Sequence, residues 1–168
     1  MLTNLAFMYK GHKINIEYKY APFLDTLRVH FTKKNQCPLD FISALPKLPK
    51  LETLILQFSG PVQGFSKLKE QPSELNVTWP EDLTFARLHI IVIKGFSREP
   101  ELMELLYFLL RRAPALESLQ LETRAYEPFV FRKEKHKSED EERCCYATEM
   151  ASTHLAPKVP STVAFSIT

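Results

Sequence analysis

The stretch LPKLPKLETLILQF, residues 45–58, sets a pattern that recurs along this chain of 168 residues. Similar stretches stand upstream, APFLDTLRVHF (21–31), and downstream, APALESLQLET (113–123). Each places a proline shortly before a leucine, an acidic residue, a threonine or serine, and then a leucine and a second apolar residue at alternate positions. A motif written three times in one chain indicates a repeat architecture.

A looser form of the motif, apolar-x-x-Leu-x-apolar, matches at five places that start every ~20–35 residues, close to leucine-rich-repeat spacing. The matches are Leu2-Leu5-Phe7, Leu24-Leu27-Val29, Leu51-Leu54-Leu56, Phe85-Leu88-Ile90 and Leu116-Leu119-Leu121. Alternate side chains of a strand face the same side, so Leu54 and Leu56 are expected to point into the core together. One such strand cannot bury its apolar side, whereas stacked strands can.

The predicted fold class is therefore α/β: a short leucine-rich-repeat-like solenoid with a parallel sheet and helical or irregular return arms. The repeat strands are expected to be parallel and adjacent in chain order. They are predicted near residues 5–8, 26–30, 53–57, 87–93 and 118–122.

The return arms differ in how clearly they predict structure. Residues 99–112 favour a helix, with acidic residues at the start and two arginines at the end that complement the helix dipole. Residues 38–45 show helical spacing before two prolines end the pattern. Residues 14–20 alternate like a half-exposed strand, and the loop-rich arm 59–82 includes one extra short strand around 75–78. Gly95 is expected to turn the chain after its strand.

We interpret residues 1–168 as a single domain of about five repeat units. Residues 124–168 form a C-terminal cap in this interpretation, with a charged helix from Ser138 to about Leu155 and a final strand over 163–167. Terminal units of repeat proteins are atypical because one side must face water.

Composition and charge bear on the partners and the compartment of the protein. The chain has 22 basic and 20 acidic residues and a net charge of +2, which gives no electrostatic argument for nucleic acid or an anionic membrane. The odd count of three cysteines, two of them adjacent, suits a reducing compartment. The first residues show no basic region followed by an apolar stretch. We therefore expect an intracellular protein, cytoplasmic or nuclear and not secreted.

Candidate catalytic and metal sites are weak. No G-x-S-x-G, P-loop or H-E-x-x-H motif occurs, so neither an enzyme nor a cofactor is predicted. His30 and His89 fall on the open side of predicted strands, but no carboxylate recurs beside them in the sequence. Cys144 and Cys145 with His136 could suggest a metal, yet adjacent cysteines do not fit the usual ligand spacing. No metal site is predicted.

Two segments resemble the C-terminal region of plant F-box proteins with leucine-rich repeats, of the FBD-related type. They are FARLHIIVIKGF (85–96) and EPELMELLYFLLRRAPALESLQLET (99–123). The closing segment HLAPKVPSTVAFSI (154–167) and the segment LAFMYKGHKINIEYKYAPFLDTLRV (5–29) are similar to other parts of that family. The resemblance implies a non-enzymatic protein–protein interaction module, like the repeats that recognise substrates for a ubiquitin ligase.

Members of that family dock on a Skp adaptor of a cullin ligase through an N-terminal F-box. Residues 38–46 begin like an F-box but lie between two repeats, so we interpret them as a repeat arm. An unknown protein substrate is the expected partner, and the Skp adaptor or cullin ligase only if an F-box is supplied elsewhere. The alternative is a truncated product with no independent binding function, because Met1 begins inside a repeat.

The expected binding surface consists of strand residues whose side chains do not point into the core. They are Thr26, Arg28, His30, Thr53, Ile55, Gln57, Arg87, His89, Ile91, Ser118, Gln120 and Glu122. Ile55 and Ile91 are apolar where a solvated surface would favour polar residues, which indicates that something covers them. A partner is one possibility, and a neighbouring arm or the tail of the same chain is the other.

Overall fold

A computed structural model describes residues 4–9, 23–31, 45, 48–58, 81–97, 100–124 and 137–168. Within these residues lies a six-stranded sheet whose strand order is the order of the chain, and every neighbouring pair is parallel. The strands are β1 Asn4–Tyr9, β2 Thr26–Phe31, β3 Thr53–Phe58, β4 Ile90–Lys94, β5 Ser118–Glu122 and β6 Ala164–Ile167. The predicted parallel α/β repeat fold is confirmed.

Apolar ladders run across the sheet and form the core. The strand register places Leu27, Leu54, Ile91 and Leu119 side by side, and all four are fully buried. The next core-facing positions form a second ladder of Val29, Leu56, Ile93 and Leu121. A fully buried aliphatic side chain stabilises the folded chain by roughly 1.5–3 kcal/mol. A repeat unit gains this stability only when neighbouring units cover its apolar side chains.

The proline of the repeated motif lies in a turn just before the strand. The N–H of Leu51 donates to the carbonyl of Leu48 (3.1 Å), and the N–H of Leu116 donates to that of Ala113 (3.1 Å). Pro49 and Pro114 therefore occupy the second position of a four-residue turn, where their fixed φ angle is suited. The leucine that closes each turn is buried.

The residue after that leucine links one repeat to the next through its carbonyl oxygen. The oxygen of Asp25 accepts from the N–H groups of Glu52 (2.8 Å) and Thr53 (2.9 Å). The oxygen of Glu52 accepts in the same way from His89 (2.9 Å) and Ile90 (3.0 Å). The start of every strand is thus aligned with the start of its neighbour.

The helix predicted over 99–112 is confirmed as α1, Pro100–Arg112. Its buried side chains include Leu102, Leu105 and Leu109, which join the core. Phe108 contacts Phe85 edge to face, with ring centroids 6.1 Å apart. Because the N–H of Phe85 also donates to the carbonyl of Arg112 (2.8 Å), this helix holds the turn that precedes β4.

The predicted charged helix and final strand are also present. Helix α2 spans Lys137–Met150 and continues through a π-helical turn, Ala151–Leu155, and a 3-10 turn, Ala156–Lys158, towards β6. Ala147, Ala151 and Leu155 are buried against the core. In the described part of the chain, no helix is long and apolar enough to cross a membrane.

One predicted strand is wrong in its register. The match Phe85-Leu88-Ile90 placed a strand at 87–93, whereas β4 spans Ile90–Lys94 and pairs Ile91 with Leu54. The overlapping match Leu88-Ile91-Ile93 is the one aligned with Leu51-Leu54-Leu56. Phe85 is instead the first residue of the turn closed by Leu88, and its ring packs on α1.

The end of β4 is set by Gly95, which has a φ of 74°. This left-handed conformation disfavours residues with a Cβ, so the predicted turn at Gly95 is confirmed. The helix predicted over 38–45, except Leu45, and the strands predicted over 14–20 and around 75–78 lie outside the described residues.

We expect Leu54→Ala to lower the free energy of unfolding by roughly 2–5 kcal/mol, because it removes a fully buried side chain from the central ladder. Thr53→Ala, on the other side of the same strand, should cost under ~1 kcal/mol. Urea denaturation of the two variants measures both values. Equal losses would contradict the assigned direction of these side chains.

Candidate functional site on the open face of the sheet

The candidate site is the side of the sheet opposite the apolar ladders, called the open face below. Strand register arranges its side chains in three rows that run across β2 to β5. The first row is Thr26, Thr53, Ile90 and Ser118; the second is Arg28, Ile55, Val92 and Gln120; the third is His30, Gln57, Lys94 and Glu122.

On β2, β3 and β5 the residues proposed from the sequence lie in these rows, although Gln57 is buried. The prediction is wrong on β4. Ile91 is fully buried in the core, and Arg87 and His89 precede the strand. The correct occupants are Ile90, Val92 and Lys94, which follow from the three-residue shift in register. Partner binding by any of these residues stays a prediction.

An apolar patch occupies the centre of the open face. It consists of Ile55 on β3 with Ile90 and Val92 on β4, all three partly accessible to solvent. Polar side chains surround it in the rows, among them Thr53 and the exposed Gln120. A partly exposed apolar centre with a polar surround is the arrangement found in protein-binding surfaces.

Charged side chains on and beside the face are mostly paired. Lys94 Nζ lies 3.1 Å from Glu122 Oε1 in the third row, with 30% and 40% of the two side chains exposed. Before β4, the guanidinium of Arg87 pairs with Glu52 across to the previous unit. Exposed pairs of this kind contribute roughly 0–1 kcal/mol each, so their main effect is on the distribution of charge.

Arg28 differs from these cations. It is exposed, and among the described residues it has no ion pair, not even with Asp25 at the start of its own strand. Within the described part of the open face, Arg28 is therefore a guanidinium without a counter-charge, and it lies directly beside Ile55 of the apolar patch.

The two histidines are not brought together. His30 lies in the third row on β2, and His89 lies before β4 at the other end of the strands. A carboxylate does stand beside His89, which the sequence did not suggest: Glu117 Oε1 is 3.2 Å from Nδ1. Nδ1 is buried and makes no hydrogen bond of good geometry, so the contact is electrostatic and depends on protonation of the imidazole.

The adjacent cysteines lie on helix α2. The thiol of Cys144 donates to the backbone carbonyl of Thr123 at 3.6 Å, and Cys145 is exposed. In the ranges that the structure describes, no group of three or more His, Cys, Asp or Glu residues is placed to hold a metal ion. His136 lies outside those ranges.

A parallel sheet of stacked units, in which turns closed by the buried Leu51, Leu88 and Leu116 precede β3, β4 and β5, is the arrangement of a leucine-rich-repeat domain. The chain belongs to the plant At1g61320/AtMIF1 family, whose leucine-rich-repeat domain model matches residues 11–168. Comparison with curated proteins and with solved structures gave no significant match. Leucine-rich-repeat domains are typically non-enzymatic protein-interaction modules, and their extended sheet surfaces are the usual binding sites.

Burial lowers the pKa of His30 below its ordinary value of 6.5. The unfolded chain then takes up this proton at a higher pH than the folded chain, so stability falls as the pH drops below about 6.5. Replacing His30 by Gln removes this contribution. We expect the loss of Tm between about pH 7.5 and about pH 5.5 to be smaller in His30→Gln than in the wild type.

His154→Gln is the matched control, because that imidazole is exposed in the π-helical turn after α2. It measures how far the replacement of an exposed imidazole by an amide changes the pH dependence of Tm by itself. An unchanged pH dependence in His30→Gln would show that desolvation of this imidazole does not contribute to stability.

Proposed function

We propose that this domain is a non-enzymatic module that binds a protein through the open face of its sheet. The observation that carries the proposal is the apolar patch of Ile55, Ile90 and Val92 at the centre of that face, partly accessible and surrounded by polar residues. The core does not require these three to be apolar, because the buried ladders lie on the other side of the sheet.

The patch suits an anchor point for a partner. Complete burial of an aliphatic side chain contributes roughly 1.5–3 kcal/mol, and these three are already partly covered. A micromolar complex requires about 8 kcal/mol, so polar residues around the patch must also contribute. Interfaces concentrate their binding energy in a few central residues of this kind, with arginine and aromatic residues enriched among them.

As a finer proposal, the bound protein is a substrate of a plant ubiquitin ligase, for which this domain supplies the recognition repeats. The support is the resemblance of residues 85–96, 99–123 and 154–167 to plant F-box proteins with leucine-rich repeats. Docking on a Skp adaptor would require an F-box supplied elsewhere, since residues 38–46 belong to a repeat arm in our interpretation.

A photo-reactive amino acid incorporated at position 92 tests whether a protein occupies the open face in plant extract. The matched control carries the same amino acid at position 152, an exposed site on the C-terminal cap. A protein crosslinked from position 92 and absent from the control supports the proposal, and mass spectrometry identifies it. Equal crosslinking from both positions, or none, would favour a domain without independent binding function.

For a partner identified in this way, we expect Val92→Glu to weaken binding by at least ~tenfold, about 1.4 kcal/mol, because a carboxylate would be desolvated in an apolar contact. Ser152→Glu adds the same charge away from the face and should leave Kd unchanged. Val92→Thr keeps the β-branched shape and should give a smaller loss. Isothermal titration calorimetry measures each Kd, and unchanged binding by Val92→Glu with an unchanged Tm would move the site off the sheet.

The ligase proposal has its own test. The purified chain is expected not to bind a Skp adaptor, whereas a fusion of an F-box to its N-terminus should bind the adaptor and the crosslinked partner at the same time. Size-exclusion chromatography of the mixed components measures both. Binding of the adaptor by the chain alone would show that residues 38–46 act as a docking element.

A further inference from the structure

We propose that the open face recognises an extended, acidic segment of its partner, with an Asp or Glu carboxylate on Arg28 and a large apolar side chain on the apolar patch. This inference rests on the proposed function, since it specifies the chemistry of a protein bound at the same face.

The charge distribution selects an acidic group. Arg87 and Lys94 are neutralised by Glu52 and Glu122, whereas Arg28 is exposed and has no ion pair among the described residues. A guanidinium presents a planar set of donors that matches the two oxygens of a carboxylate. A bound carboxylate would give Arg28 the counter-charge that the described surface does not provide.

The neighbouring residues favour a carboxylate over a phosphate. Phosphate groups on proteins are usually held by clusters of arginines. Next to Arg28 in its row lies Ile55, and the nearest lysine on the face, Lys94, is two strands away and already paired with Glu122. Among the described residues of the face, Arg28 has no second cation beside it, and a single guanidinium fits one singly charged group.

The spacing of the strands selects an extended segment. Neighbouring strands lie ~4.8 Å apart, so Arg28 on β2 and Val92 on β4 are separated by roughly 10 Å across the row. An extended peptide advances ~3.4 Å per residue, which places side chains of the same side ~7 Å apart. The arginine side chain is long enough to reach across the difference between these two distances. An acidic residue and a large apolar residue two positions apart can therefore contact Arg28 and the apolar patch together.

Selection of random linear peptides displayed on phage tests this directly, with the purified 168-residue chain as the bait. Peptides that combine an acidic residue with a large apolar residue two positions away should be enriched. Parallel selections use Arg28→Glu and, as a matched control, Arg111→Glu, an exposed arginine at the end of α1. The control should enrich the same peptides, whereas Arg28→Glu should lose the acidic residue and favour lysine or arginine in its place.

A synthetic peptide from the wild-type selection then gives the size of the effect. We expect Arg28→Glu to raise its Kd at least ~tenfold, and Arg111→Glu to leave it unchanged. Exchanging the acidic residue of the peptide for lysine should weaken binding to the wild type and restore binding to Arg28→Glu. Arg28→Glu should melt close to the wild-type Tm, because this arginine is exposed. Arg111→Glu should melt slightly lower, because it removes a positive charge that complements the dipole of α1.

The possible failures are distinguishable. Enriched peptides that depend on Val92 but not on Arg28 would overturn the acidic-segment inference and leave the proposed binding face standing. The same acidic sequences enriched by the wild type and by Arg28→Glu would also overturn it. Two further results would overturn this inference and count against the open face as the binding surface. One is peptide binding that does not change when Arg28 or Val92 is substituted, and the other is no enrichment at all.

Discussion

The whole sheet depends on one alignment: each strand must start level with its neighbour. Before β2, β3 and β4, the carbonyl oxygens of Asp25, Glu52 and His89 each accept two N–H groups from the following unit. A shift by one residue would turn every ladder residue to the solvent side, since the side-chain period of a strand is two. The turn that ends in a buried leucine sets this starting point, and the ladders of leucine and isoleucine then fill the core.

The sequence predicted the fold well where motif and turn coincide. Prolines precede Leu51 and Leu116 by two positions, so only one register is possible there, and β3 and β5 lie within a residue of their predicted bounds. The unit around β4 lacks that proline. Phe85, Leu88, Ile90, Ile91 and Ile93 offer two overlapping matches, and the pattern alone does not choose between them. The contact of Phe85 with Phe108 on α1, a long-range interaction, decides the register.

The same ambiguity explains the errors at the candidate site. Once the register of β4 shifts, Ile91 enters the core and Val92 takes the central place beside Ile55. The sequence analysis placed Ile55 and Ile91 on the face, whereas the structure keeps Ile55 there, with Ile90 and Val92 as its apolar neighbours on β4. Pairs such as Lys94–Glu122 and His89–Glu117 join residues of different repeats, and only the strand register brings them together. The spacing of residues within a single repeat therefore does not predict these pairs.

The outer strands leave the central part of the open face accessible. On β1 the residue beside Arg28 is Ala6, and on β6 the residues beside Ser118 and Gln120 are Ala164 and Ser166, all short and exposed. Longer side chains stand between them, on β2 to β5. A segment that crossed the strands would therefore pass short side chains at the two edges of the sheet and longer ones at its centre, where Arg28 and the apolar patch lie. Because the core ladders fix only the opposite side of each strand, exposed face residues such as Arg28 and Gln120 can be exchanged at little cost to the fold, which lets one stable scaffold present different recognition surfaces.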